Sequence, residues 1–245
     1  MQNCLYFKND EMLLSALKKI YKHIVFFSSF CFAKVFNMAS SSKSDFVEET
    51  PEKIRHVQWT SSHGQPYHPY QNEMREILSH QTRYVQTPIF NAGRSKIRQS
   101  LVDEILEDVH AWSGQPQVHV LVVGANNLRE GQEAPEVVQH FTRLLKATST
   151  VKRCYVIVVS FIPDCKSDQA CKARFIEASK YLRKECNKFR GTCSLVNSQK
   201  IFLNHGELNK DMYVDDKVHL SVAGSRALAE VISKNLMKIP HSFFQ

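Results

Sequence analysis

The chain has 245 residues, of which 43% are hydrophobic and 23% are charged, so it is long enough for one substantial domain. This composition is that of an ordinary globular protein and excludes a collagen-like, low-complexity or wholly disordered chain. The formal net charge is +8, and five lysines against two acidic residues in positions 1–37 leave 27 basic and 22 acidic residues in the remainder. So mild a surplus predicts a solvated basic surface, with weak affinity for acidic partners or nucleic acid as the alternative.

The first 53 residues are predicted to be an N-terminal extension and flexible linker. Lysines precede an interrupted apolar patch from Ile24 to Phe36, which is too short to span a bilayer but partly resembles a secretory signal. Met38 opens the sequence MASSSKSD, which is typical of a natural start. We expect a cytoplasmic protein that starts at Met1 or Met38. Secretion or membrane association through residues 1–37 stays open as the alternative.

The seven cysteines form no C-x-x-C pair and no zinc-binding spacing. Reduced thiols in an intracellular protein are the simplest interpretation, and a Cys165–Cys171 or Cys186–Cys193 disulfide is the alternative for a secreted chain. The eleven histidines do not combine with cysteines or carboxylates at ligand spacing. We therefore expect no metal and no other cofactor.

From position 54 onward, strand patterns alternate with helix patterns. Short β-branched apolar runs predict five strands, at Arg55–Thr60, Tyr84–Phe90, Val118–Val123, Cys154–Phe161 and Cys193–Val196. Apolar residues at three- and four-residue spacing predict helices at 70–80, at 97–112, from about Pro135, at Gln169–Phe189 and after a capping Ser221. This alternation predicts one three-layer domain over residues 54–240, with a parallel sheet covered on both faces and a tail at 241–245.

The most informative stretch is VHVLVVGANNLR, from Val118 to Arg129. Its apolar run, interrupted only by His119, predicts a strand buried on both faces, and the run ends on Gly124. Open α/β sheets build their sites at the carboxyl ends of such strands. A glycine there allows a sharp turn, and a following asparagine can aim amide donors into the crevice.

A second informative stretch is DDKVHLS, which precedes the last helix. It places Asp216 three residues before His219. A carboxylate at this spacing can accept a hydrogen bond from one ring nitrogen, which fixes the tautomer and leaves the other nitrogen as a base. The pair alone is a common pattern, and an exposed loop with a capping histidine is the alternative interpretation.

Together with Gly93 after the second strand, these motifs stand in a characteristic order. With Gly-x-Asn-Asn and then Asp-x-x-His, the chain resembles the SGNH (GDSL-type) hydrolase family over about residues 54–240. The resemblance implies a flavodoxin-like three-layer α/β/α sandwich with a five-stranded parallel sheet. It also implies a hydrolase that cleaves acyl esters of small molecules or glycans.

The resemblance assigns a role to each matching residue. His219 would be the general base, oriented by Asp216, and the oxyanion would be bound by the Asn126 side chain and the backbone N–H of Gly93. Asn127 stands where the family has aspartate.

Gly124 and Asn127 are candidates for a substrate-binding loop.

The first motif departs from the family, which has Gly-Asp-Ser. Alignment places Thr60 and Ser61 at the first two positions and Ser62 at the nucleophile.

Two other serines are candidates for the nucleophile. Ser61 would serve if the register shifts by one residue. Ser95 follows Gly93 in a similar tripeptide, but it leaves too little chain before Gly124 for a strand and a helix.

Two further interpretations stay open. The altered first motif favours a catalytically degenerate domain that acts as a binding or interaction module. The basic stretch Lys172–Arg190 and the unusual N-terminus are compatible with an origin in a mobile element and with nucleic-acid binding. No membrane partner is indicated, and the oligomeric state is open.

Overall fold

The structure is a computed structural model, and it describes residues 53–60, 73–74, 76–77, 79, 84–86, 96–163 and 169–245. All of them belong to the unit formed by residues 50–245. Residues 1–52 of the predicted extension over residues 1–53 lie outside the described residues.

A five-stranded sheet forms the centre of this unit. Its strands are β1 (Ile54–Thr60), β2 (Tyr84–Gln86), β3 (Gln117–Val122), β4 (Cys154–Val159) and β5 (Cys193–Val196). They are ordered β2-β1-β3-β4-β5, and every neighbouring pair is parallel. The predicted five-stranded parallel sheet is therefore confirmed.

Helices cover both faces of the sheet, as predicted. They are α1 (Gln99–Ala111), α2 (Ala125–Arg129), α3 (Ala134–Thr148), α4 (Gln169–Lys188), α5 (Gln199–Phe202) and α6 (Val222–Met237). Helices α1, α3 and α4 share one hydrophobic cluster with the sheet, whereas α6 packs in a second cluster on the opposite face. The described residues among 73–79 are helical, and Met74 joins this second cluster.

The two clusters follow from the alternation of side chains along β3. Val118 and Val120 lie in the cluster with α6, whereas Leu121 lies in the cluster with α1, α3 and α4. His119 is fully buried, accepts a hydrogen bond from Trp59 Nε1 (3.1 Å) and lies 2.7 Å from Gln117 Oε1. Burial lowers the pKa of His119 to about 3, so this histidine is a neutral part of the core.

The apolar spacing in the helix predicted at Gln169–Phe189 places Phe175, Tyr181, Leu182 and Phe189 on its inner face, and α4 corrects one of these assignments. Phe175 and Leu182 are buried as expected, but 41% of the Tyr181 surface is exposed. Because Tyr181 directly precedes Leu182, it points about 100° away around the helix and lies at the edge of the apolar stripe. The basic residues Lys180 and Lys184 also lie on the exposed side of α4.

The four cysteines that the structure describes divide into two groups. Cys154, Cys186 and Cys193 are free and buried, so the Cys186–Cys193 disulfide is not formed. Cys171 is disulfide-bonded, and the expectation of reduced thiols is wrong at this position. The predicted partner, Cys165, lies outside the described residues.

The last five residues pack against the domain. His241–Phe244 forms a short 3-10 helix, Phe244 is buried, and the Phe243 ring meets the Tyr155 ring edge-on at 5.2 Å. Two aromatic side chains in five residues supply enough apolar surface to hold this segment in place. Within the described parts of the chain, no helix has the length and apolarity needed to cross a bilayer.

Candidate active site

The carboxyl edge of the sheet brings the ends of β1 and β3 together. Strands β1 and β3 are direct neighbours in register, with Thr60 paired to Val122, so the chain leaves both strands at the same edge. The first motif begins at Thr60, the last residue of β1, and the Gly124 motif follows β3. Ser61, Ser62, Gly93 and Ser95 lie outside the described residues, so their roles stay predictions.

Gly124 makes the turn from β3 into α2. Its φ is +96°, in the left-handed region that favours glycine. A Cβ atom at this position would lie 2.8 Å from Phe161 Cε1 and 3.4 Å from Phe141 Cε2. Gly124 is therefore required both for its backbone conformation and for the close approach of two aromatic rings.

Asn126 lies in the first turn of α2 and is only 8% exposed. Its Oδ1 accepts a hydrogen bond from the Arg129 guanidinium. No described residue accepts a hydrogen bond from its Nδ2. The side chain thus has a buried position, an acceptor side held by Arg129 and an amide donor that no described residue uses.

Asn127 makes a different set of contacts. Its Oδ1 accepts from the backbone N–H of Ile97 (2.9 Å), and its Nδ2 donates to the Ile97 carbonyl (3.0 Å) and to Gln132 Oε1 (2.7 Å). These bonds use both ends of the amide to hold the chain that enters α1. Asn127, a substrate-loop candidate from the sequence, connects two loops of this edge in the structure.

Asp216 and His219 lie together on a small hairpin before α6. Tyr213 and Leu220 form its antiparallel bridge, and Val214 N–H donates to the His219 carbonyl (3.0 Å). The reversal requires Lys217 to adopt a φ of +57°. This tight turn brings the two side chains, three residues apart, onto the same side.

The Asp216 carboxylate is fully used within this hairpin. Its Oδ1 accepts from the backbone N–H groups of Val218 (2.8 Å) and His219 (2.9 Å), and its Oδ2 contacts His219 Nδ1. Although burial acts to raise it, these hydrogen bonds hold the pKa of Asp216 down at about 2. An ionised Asp216 therefore requires the proton on Nδ1 of His219, and the tautomer that results makes Nε2 the basic nitrogen.

Three contacts fix the hairpin to the rest of the domain. The buried Tyr213 ring packs 5.7 Å from the Phe202 ring, and its hydroxyl donates to the Pro163 carbonyl after β4. Ser221 caps α6, as predicted, by accepting from Gly224 N–H (3.2 Å). Because Gly224 has no side chain, its backbone can lie close to Met212. A Cβ atom at Gly224 would overlap the Met212 carbonyl oxygen.

Arg129 is a site residue that motif matching missed. Beyond its bond to Asn126, its pKa is lowered by burial and raised by the nearby carboxylates of Glu130 and Asp216. The Asp216 carboxylate is thus within electrostatic range of a side chain of α2. Its position three residues after Asn126, on the same helical face, is the sequence signal that could have found it.

No cluster of three or more potential metal ligands occurs among the residues that the structure describes. The expectation that no metal takes part stays a prediction. The side chains that the edge does bring together are an imidazole with an anionic partner, an amide donor and a guanidinium. This set suits proton transfer and stabilisation of an oxyanion.

Comparison with known proteins places the fold. No protein-family model matches the sequence, and no curated protein matches it. Among solved structures, a lipolytic protein of the G-D-S-L family from Veillonella parvula is similar with a TM-score of 0.59 and 13% identity, over 76% of this chain and 99% of that one.

Two further structures have the same architecture. The acetylxylan esterase Axe2 from Geobacillus stearothermophilus is similar with a TM-score of 0.56 and 16% identity, over 75% of this chain and 94% of that one. TesA is similar with a TM-score of 0.56 and 12% identity, over 76% and 99%. The likeness inferred from the motifs is thus confirmed at the level of architecture, and the chain has the fold of the SGNH (GDSL-type) hydrolases.

Proposed function

We propose that this protein is a serine hydrolase that cleaves acyl esters. The observation that carries the proposal is the hairpin in which Asp216 contacts His219, with Asp216 also within electrostatic range of Arg129 on the α2 helix that presents Asn126. A base in a defined tautomer and an amide donor at one sheet edge are the two parts that acyl transfer needs beside a nucleophile. Ser62 supplies that nucleophile in the proposal.

Each step of the reaction uses one of these groups. Ser62 Oγ attacks the ester carbonyl carbon while His219 Nε2 removes its proton, and the charge of the imidazolium is balanced by Asp216. The carbonyl oxygen becomes an oxyanion that accepts from Asn126 Nδ2 and the backbone N–H of Gly93. The intermediate collapses as the alcohol leaves with the proton from His219.

Water then releases the acyl group. It loses a proton to His219, attacks the acyl-enzyme carbonyl carbon and expels Ser62, which recovers its proton as the acid departs. A small-molecule or glycan ester satisfies this scheme. An acetylated xylo-oligosaccharide is a suitable first glycan to test, since Axe2 is an acetylxylan esterase of the same fold.

The altered first motif supports a second candidate function. Thr60 is a buried, β-branched residue at the position where the family has glycine, and it can displace the turn that follows β1. If that turn cannot present a serine to His219, the domain acts as a non-catalytic interaction module.

Labelling with a fluorophosphonate, followed by peptide mapping, separates the two functions. Such a probe reacts with a serine only if a base and an oxyanion site activate it. We expect the label on Ser62 and its loss in His219→Ala. The matched control is His110→Ala, because His110 is exposed at the end of α1 and should not affect labelling.

The other outcomes are equally decisive. A label on Ser61 or Ser95 would support the hydrolase function and identify that serine, and not Ser62, as the nucleophile. A folded wild-type chain that takes no label and hydrolyses no ester would reject the hydrolase in favour of the interaction module.

A further inference from the structure

The α2 helix carries a cation directly beside the proposed oxyanion donor. Asn126 and Arg129 are three residues apart on one turn, and the guanidinium donates to Asn126 Oδ1. This is the only hydrogen bond that Asn126 makes with its side-chain amide to described residues. The orientation of the amide plane therefore depends on Arg129.

An asparagine amide needs such a partner to act as a directed donor. Its oxygen and nitrogen ends have nearly the same shape, and rotation of the group by a half-turn exchanges them. A guanidinium has only donors, so it stabilises the orientation in which Oδ1 faces Arg129 and Nδ2 faces away. A charge-assisted bond to Oδ1 also polarises the amide and strengthens its N–H donors.

The position of the guanidinium suits an electrostatic role as well. Its side chain is half-buried, and the Asp216 carboxylate acts on it from the hairpin. The cation thus bonds to Asn126 and lies within electrostatic range of Asp216. Positive charge already fixed beside the site of oxyanion formation lowers the energy of the transition state more than that of the neutral ester.

The α2 helix has contacts with the rest of the domain besides those of this side chain. Leu128 is fully buried, the Leu128 carbonyl accepts from Arg174 Nε (3.1 Å), and Asn127 holds the backbone of Ile97. Removal of the guanidinium should therefore leave the helix in place. This separates an effect on catalysis from an effect on folding.

We propose that Arg129 is a positioning residue of this site, which holds the Asn126 amide with Nδ2 towards the oxyanion and supplies positive charge beside it. The inference rests on the proposed ester hydrolysis and deepens it. It predicts that Arg129 acts through Asn126 and affects the chemical step more than binding of the ester.

The test is a double-mutant cycle on hydrolysis of 4-nitrophenyl acetate. Arg129→Met should lower kcat by about 10- to 100-fold and change KM by less than about twofold. Arg129→Lys, which keeps the charge but not the fork of donors, should fall between Arg129→Met and the wild type. In an Asn126→Ala background, Arg129→Met should lower kcat by less than about threefold, because the group it orients is gone.

A matched control uses a second cation of this region. Lys96 pairs with Glu130 next to Arg129, and the described hydrogen bond to the Asn126 side chain comes from Arg129 and not from Lys96. Lys96→Met should therefore change kcat by less than about threefold. The side-chain amide resonances of Asn126 give a readout independent of turnover: they should shift in Arg129→Met and not in Lys96→Met.

The outcomes distinguish this inference from the proposed function. If the wild type hydrolyses the ester and Arg129→Met matches it, the positioning role is wrong and the hydrolase stands. Equal losses from Arg129→Met with and without Asn126 would also overturn it, because the two residues then act independently. If the folded wild type neither hydrolyses esters nor takes the fluorophosphonate label, the proposed function fails and this inference fails with it.

Discussion

Single residues at the carboxyl edge of the sheet determine whether the site can form. Gly124 is the clearest case, because its φ of +96° and its contact with Phe161 both disfavour a side chain. Gly131, a few residues later, has a similar φ of +92° but nothing within 4 Å of an added Cβ. Comparison of the two positions therefore separates the energetic cost of backbone strain from that of steric overlap.

Alanine substitutions measure this difference. We expect Gly131→Ala to lower the free energy of unfolding by about 1 kcal/mol, from backbone strain alone. Gly124→Ala should lower it by about 1–3 kcal/mol more, because the Phe161 and Phe141 rings must move. Urea denaturation of both variants is the measurement, and equal losses would show that the aromatic contact does not matter.

The hairpin of residues 213–220 is the element that carries the base, His219, and the carboxylate that orients it, Asp216. It belongs to neither a strand of the central sheet nor a helix, and it depends on the packing of Tyr213 and on the close approach of Gly224 to Met212. Gly224 lies in the first turn of α6, where helix propensity alone favours alanine by about 0.5–1 kcal/mol. The contact of Gly224 with the Met212 carbonyl reverses that preference, so glycine is favoured over alanine at this position.

Gly224→Ala should therefore destabilise the protein and slow reaction with the fluorophosphonate, since the hairpin must move away from α6. Gly191→Ala is the control, because an added Cβ there has nothing within 4 Å and should change the free energy of unfolding by less than about 0.5 kcal/mol. Unfolding midpoints and labelling rates of the two variants are compared. A more stable Gly224→Ala variant with the wild-type labelling rate would contradict this account of the hairpin.

At the scale of the whole molecule, the sheet separates a reactive edge from a structural interior. Buried polar groups of the interior include His119, between Trp59 and Gln117, and His56 on β1. Burial lowers the pKa of His56 to about 4 and that of His119 to about 3, so both are neutral at pH 7. In the unfolded chain each regains an ordinary value of about 6.5.

This difference predicts acid sensitivity with a defined sign. Between the folded and unfolded pKa values the unfolded chain binds more protons, so stability falls as the pH is lowered below about 6.5. Each histidine should reduce the free energy of unfolding at pH 5 by about 2 kcal/mol relative to pH 7. Asp216 does not contribute in this range, because its lowered pKa causes a loss of stability only at lower pH, between the ordinary value of 3.8 and about 2.

Denaturation curves from pH 7 to pH 5 check this prediction. His119→Gln should weaken the pH dependence, whereas the exposed His110→Gln should leave it unchanged. An unfolding free energy that stays constant from pH 7 to pH 5 would contradict the prediction that the two buried histidines lower the stability in acid.

Sequence patterns were sufficient wherever one periodicity dominated. The strands at Cys154 and Cys193 and the helix at Gln169 begin at the predicted residues, because an apolar run or an amphipathic stripe specifies burial locally. The order of the motifs along the chain also predicted the fold. The tail at 241–245 was assigned less well because it has no repeating pattern, and Tyr181 because it lies at the edge of the apolar stripe of α4, where spacing does not distinguish core from surface.

The sequence by itself determined the fold class, the pairing of Asp216 with His219 and the capping of α6 by Ser221. These depend on spacings of a few residues, within which a short segment has few conformations to choose from. Only the tertiary structure decided that Asn127 holds Ile97, that Gly224 admits Met212 and that Arg129 lies near Asp216. Each of these contacts joins elements that are distant in sequence, and their proximity follows from the packing of helices and loops on a common sheet edge.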